Sequence, residues 1–227
     1  MGGTSLRCVQ LVEIVDKIHF YVILKQIMKS KNLKNFSLLL LAIFFMAFVY
    51  GVSRALNKAN KTQLSTKDGI YTSYISTSSS IRYKALQLTK ECTSKVCQIK
   101  KLLNFVTAIP YKTETFQRVK PLQTIQQNFG DCDDKSNLLI SLLHTLNIKA
   151  YFVLVPKHIF VIVPLLSQTL NHKKGLWVNG KKYYILESTA KGSPIGYPLN
   201  YKLHQIDAII EPFSNIKINI KELNYDK

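Results

Sequence analysis

From Phe36 to Val52 the chain is apolar apart from Ser37, Tyr50 and Gly51, and it carries no charge. At about 17 residues this run is just long enough to cross a bilayer as a helix, and no good small-x-small cleavage site follows it. It is expected to be an uncleaved transmembrane signal anchor over 36–52. Residues 53–80 are rich in Ser, Thr, Lys and Asn with little periodicity, the pattern of a polar tether. From Ile81 the spacing turns helical: Ile81, Ala85, Leu86 and Leu88 mark one helix, and Val96, Ile99, Leu102, Leu103 and Val106 a second. Pro110 ends the latter. A short helix is expected around Pro121 to Gln126, and Leu138, Leu139, Leu142, Leu143 and Leu146 lay a stripe along a longer one. Then the period changes to that of strands: Ala150 to Val155, His158 to Val163, and Leu176 to Glu187 with Asn179-Gly180 in its middle, a strong hairpin signal. Asp207 to Ile210 and Ile216 to Ile220 are expected as edge strands. The pattern predicts an α+β domain over 81–227, a helical part packed on an antiparallel sheet.

Candidate chemistry gathers at the start of the leucine helix, in Asn128-Phe-Gly-Asp-Cys-Asp-Asp134. Asp131 is the expected N-cap and Asn147 the left-handed end. Cys132 would then open the helix at the positive end of its dipole, which favours thiolate, while the flanking carboxylates favour thiol. A base is needed. His144 is on the same helix, roughly 18 Å further along, and cannot serve. His158 opens one strand and Glu187 closes another, so Cys132, His158 and Glu187 form a candidate nucleophile, base and orienting acid. A lone cysteine or histidine is ordinarily structural, and Glu187 alone reads as a solvated strand end. It is the order of the three that suggests a site.

Gly130-Asp131-Cys132-Asp133-Asp134, the leucine helix, the His158 strand and Tyr184-Ile-Leu-Glu-Ser-Thr189 together resemble the transglutaminase-like superfamily, including its bacterial cysteine proteinases. The resemblance runs from about Ile81 to Tyr197. It implies a papain-like core in which Cys132 is the nucleophile, His158 the general base and Glu187 the acid. Glu187 stands where this family more often has Asp, and Ile159-Phe160 stand where Ala-Trp is common. The implied reaction is thiol acyl transfer at an amide, requiring neither metal nor cofactor. The Cys132 backbone N–H is one oxyanion donor, and a second is expected among Gln126, Gln127 and Asn128, with Gln127 and Asn128 preferred. The expected substrate is a protein or peptide, resolved by hydrolysis. A true protein transglutaminase and a catalytically silent binding module at the cell envelope are the alternatives.

Charge adds a location. Lysine and arginine outnumber acids 31 to 13, a formal net charge of +18. Such an excess suggests an anionic neighbour. No nucleic-acid-binding motif accompanies it, so no nucleic-acid partner is expected and membrane proximity is preferred. Lys25, Lys29, Lys31 and Lys34 crowd the stretch before the apolar run, which points to an inside N-terminus and an extracytoplasmic domain on the inner (plasma) membrane. Residues 1–35 are a basic segment. Met28-Lys-Ser-Lys has the shape of a bacterial membrane-targeting start, so 1–27 are read as an upstream extension. Cys92 and Cys97 can form a local disulfide, in keeping with export.

Overall fold

Helix α1 (Lys31–Thr62) carries the apolar run. In the computed structural model the described residues are 31–66, 69–113 and 120–226, so the readings made for 1–27 lie outside them. The chain divides into two units, Met1–Lys58 and Ala59–Lys227. In the first, Lys34–Leu56 form a window of 23 residues with mean hydropathy 2.3, none of it buried. At 1.5 Å per residue that is about 34 Å, long enough to cross the roughly 30 Å of hydrocarbon. The apolar window is thus longer than the 36–52 stretch expected from composition.

The expected tether at 53–80 is a correction. The helix continues to Thr62, and an antiparallel pair follows, β1 (Gln63–Thr66) with β2 (Gly69–Thr72). Ala55, Leu56, Lys58 and Ala59 are good helix formers, so a helix once nucleated upstream propagates through them. Further on, Tyr74 N–H donates to Asn137 Oδ1 (2.7 Å) and Ser76 N–H to Ser141 Oγ (3.0 Å), which seats this segment on the folded unit.

Helices α2 (Ser79–Thr89) and α3 (Lys95–Ala108) are capped by Ser78 and Ser94, whose side chains accept from the Ile81 and Cys97 amides. The turn between them is closed by a Cys92–Cys97 disulfide. α3 stops at Ile109, extended at φ −65° and ψ 126°, because the residue before a proline avoids the helical region. Two more helices follow, α4 (Pro121–Gln127) and α5 (Cys132–Thr145). Past the end of α5 Asn147 adopts φ 56°, with its N–H on His144 O and that of Ile148 on Leu143 O, the expected left-handed stop.

The strands are β3 (Tyr151–Val155), β4 (His158–Val163), β5 (Leu176–Val178), β6 (Lys181–Leu186), β7 (Ala208–Glu211), β8 (Ile216–Lys217) and β9 (Leu223–Tyr225). They form an antiparallel sheet in the order β8-β7-β3-β4-β6-β5-β9. Asn179 and Gly180 make the β5–β6 turn at φ 50° and 76°, the paired positive values that a two-residue hairpin requires. β7, expected at an edge, lies inside, between β3 and β8. The period-2 pattern makes two cores. Phe152, Leu154, Ile159, Val161, Val163, Tyr184 and Leu186 face α2, α3 and α5, while Val153, Val155, Phe160, Ile162 and Ile185 face the chain after Gly196. An α+β domain with a cysteine-bearing helix on an antiparallel sheet is what the pattern predicted.

Leu142 on α5 is fully buried, whereas Leu166 after β4 is fully exposed. Leu142→Ala is expected to cost about 2–5 kcal/mol of unfolding free energy and Leu166→Ala at most about 0.5. Denaturant titration of the two variants checks this, and equal losses would contradict the packing described.

Candidate active site

Gly130 sits where chain segments approach too closely for a side chain: a Cβ there would meet Asp134 Cβ at 2.9 Å. Its N–H donates to Pro110 O (3.2 Å) and its carbonyl accepts from Lys112 N–H (3.1 Å), so the turn is pinned to the chain leaving α3. Asp131 then caps α5, its Oδ1 accepting from Asp133 N–H (2.9 Å) and Asp134 N–H (3.0 Å). Cys132 is the first residue of α5 and half-buried. Its thiol donates to Asp133 Oδ1 (3.8 Å), and the Ile159 N–H is directed at the sulfur.

Ile159 is the neighbour of His158, so β4 brings the histidine to the cysteine end of α5. His158 Nε2 lies 2.9 Å from Glu187 Oε2. The other carboxylate oxygen, Oε1, accepts from Thr189 N–H (2.9 Å) and Thr189 Oγ (2.6 Å). Glu187 is largely buried. Burial alone would raise its pKa, but His158, through a hydrogen bond and charge, and Thr189 outweigh it and hold the carboxyl below its ordinary value. Tyr201 lies nearly parallel to the imidazole, with ring centroids 6.3 Å apart and planes 16° apart.

The thiol goes the other way. Burial first, then Asp133 and Asp131, push Cys132 from an ordinary 9.0 up to about 12, against support from the Ile159 and Asp133 amides. A helix dipole contributes only about 0.3–1 kcal/mol, less than one pH unit of titration, so it cannot reverse this. At neutral pH the Cys132 side chain is therefore a neutral thiol. Among the described residues its hydrogen bond goes to Asp133, while the imidazole is engaged with Glu187.

Of the oxyanion candidates, Gln127 has its Nε2 committed to Phe129 O at 2.9 Å. Asn128 is the left-handed end of α4 at φ 55°. The Cys132 N–H is left over by the Asp131 cap and has no hydrogen-bond partner among the described residues. Cys92 lies on the α2–α3 turn and Cys97 in the first turn of α3, away from Cys132 in sequence and element. Two contributors were not foreseen. Thr189 belonged to the Glu-Ser-Thr run, and a hydroxyl two residues after a buried acid was the available signal. Lys135 was hidden, a wholly buried lysine whose Nζ donates to Ile109 O (2.6 Å). Its pKa is lowered by burial, with Glu187 opposing. The adjacent Ser136–Ser188 contact (3.1 Å) shows how closely α5 lies against the Glu187 segment. Among the described residues no group of three or more His, Cys, Asp or Glu side chains is placed to hold a metal ion.

Because thiolate is the alkylating species, iodoacetamide labelling of Cys132 is expected to rise about tenfold per pH unit from neutral into the alkaline range, without a plateau. Asp133→Asn removes one negative neighbour and is expected to speed labelling at every pH in that range. A plateau near neutrality, or no acceleration in the variant, would contradict these electrostatics.

Residues 82–161 match the family model described as the transglutaminase-like superfamily, a segment that includes Cys132 and His158 and ends before Glu187. A crystal structure of a candidate cysteine protease from Cytophaga hutchinsonii aligns with 69% of this chain at 13% identity and a TM-score of 0.44. The alignment covers 51% of that chain, so the present chain spans about half its length. No curated protein matches. Over 82–161, a segment that holds the cysteine-bearing helix and two strands of the antiparallel sheet, the chain is thus similar to the transglutaminase-like superfamily.

Proposed function

We propose that the protein is a membrane-anchored cysteine hydrolase, a peptidase or amidase, working through Cys132, His158 and Glu187. The observation that carries this reading is the 2.9 Å His158–Glu187 contact placed beside a helix-opening cysteine. With Nε2 held by Glu187, the free imidazole nitrogen is Nδ1, and it accepts the thiol proton as the sulfur attacks the carbonyl carbon. Since the resting thiol is neutral, proton transfer and attack proceed together once substrate displaces water. The Cys132 N–H stabilises the oxyanion. As the carbonyl re-forms, the C–N bond breaks and the imidazolium protonates the departing amine. Water, deprotonated by His158, then opens the thioester to release acid and restore the thiol. An amine in place of water would make the same site a transglutaminase.

Lys34–Leu56 serve as the anchor in this reading, with the domain on the outer side of the inner membrane. The lysines ahead of the span and the Cys92–Cys97 disulfide support that side. The raised thiol pKa favours one rival, a silent binding module, because a dormant cysteine would show the same.

Acyl trapping separates them. The full chain, mixed with an activated peptide ester, is expected to gain the acyl mass on Cys132, with the adduct lost in Cys132→Ala and reduced about 100-fold or more in His158→Ala. Decay of the adduct in water, unhastened by added amine, is the hydrolase outcome. An unmodified wild-type Cys132 would overturn the enzymatic reading.

A further inference from the structure

At the far end of the folded unit from Cys132, an open groove of about 650 Å³ is lined by Lys95, Lys149, Leu165, Leu166, Trp177 and Lys181, among others. Cys132 opens the fourteen-residue α5 and Asn147 lies just past its end, about 22 Å away along the axis. His158 likewise opens β4, and Pro164, another groove residue, follows its end. The groove is therefore not part of the catalytic site.

We propose that this groove docks on anionic phospholipid headgroups, with Leu166 entering the bilayer interface. Among the described residues Lys95, Lys149 and Lys181 have no carboxylate partner, and a fourth lysine, Lys182, is paired with Asp226 at 2.7 Å. Three unneutralised ammonium groups around one concavity focus positive potential there. Leu166, 103% exposed, stands at its edge beside half-buried Leu165. An acidic peptide would account for the lysines but not for a leucine held fully in water. A bilayer accounts for both, because cations meet the phosphates while the apolar tip enters the interface. The proposal rests in part on the anchor reading, since a chain with a spanning helix keeps a bilayer permanently within reach and the docking step becomes intramolecular. Docked by this end, the domain would turn Cys132 away from the lipid toward soluble or wall-bound substrate.

The single tryptophan of the chain, Trp177, lies in the groove and reports on it alone. The full chain is placed in nanodiscs of phosphatidylcholine or of phosphatidylcholine with phosphatidylglycerol, both with brominated acyl chains. Blue-shifted, quenched Trp177 emission is expected only with phosphatidylglycerol, and reversed by high salt. In Lys149→Gln/Lys181→Gln the docked-to-free ratio should fall about fivefold for each lysine removed, and Leu166→Ser should weaken quenching. Salt reversal in the wild type makes the test independent of how the variants fold. Equal emission in the two discs would overturn the proposal, as would the same response to inorganic phosphate in phosphatidylcholine discs or a response to polyglutamate alone. Failure to enter phosphatidylcholine discs would overturn the anchor reading separately, since recruitment to phosphatidylglycerol discs still reports docking.

Discussion

Burial of helix α5 is the constraint from which the site follows. Every residue from Asp134 to Leu143 is buried, including Lys135, Ser136, Asn137 and Ser141, so the helix can neither rotate nor slide against the sheet without exposing its leucines or stranding a polar group. Its polar side chains find partners on three sides: Lys135 on Ile109 O, Asn137 on Tyr74 N–H, Ser136 on Ser188. The first turn is held by the Asp131 cap and by a glycine turn with no room for a Cβ. A cysteine at the opening of such a helix has its place fixed by the whole core.

The same burial sets the chemistry. Sulfur and carboxylate are both withdrawn from water, yet they respond oppositely because their neighbours differ. Glu187 faces an imidazole, a hydroxyl and a backbone N–H, and stays ionised. Cys132 faces two carboxylates and stays protonated. The site at rest is thus an ionised acid hydrogen-bonded to a histidine, beside a quiet thiol.

Much of this was legible in the chain. Periods of 3.6 and 2 gave the helices and strands, and Asn179-Gly180 gave the hairpin, because those signals are local. Asp131 and Asn147 were readable as cap and stop for the same reason. What failed was non-local. The continuation of α1 to Thr62 was masked by a polar composition that helices tolerate, and β7 fell inside the sheet because strand order is decided by distant pairing. Nothing local in the sequence marks Lys135 as buried, and only the packing of α5 shows it so. Cys132, His158 and Glu187 were singled out by order and resemblance, whereas the balance of burial and charge on the thiol depends on contacts distant in sequence.

The central claim is that Glu187 acts through His158 on Cys132. It is tested by a double-mutant cycle on the rate at which an activated ester acylates Cys132, using wild type, Glu187→Gln, His158→Ala and the double variant, each first shown to be folded. The account predicts that Glu187→Gln slows acylation when His158 is present and adds nothing once His158 is gone. Equal losses in both backgrounds would mean that the two residues act independently, and the 2.9 Å contact would then be structural rather than catalytic.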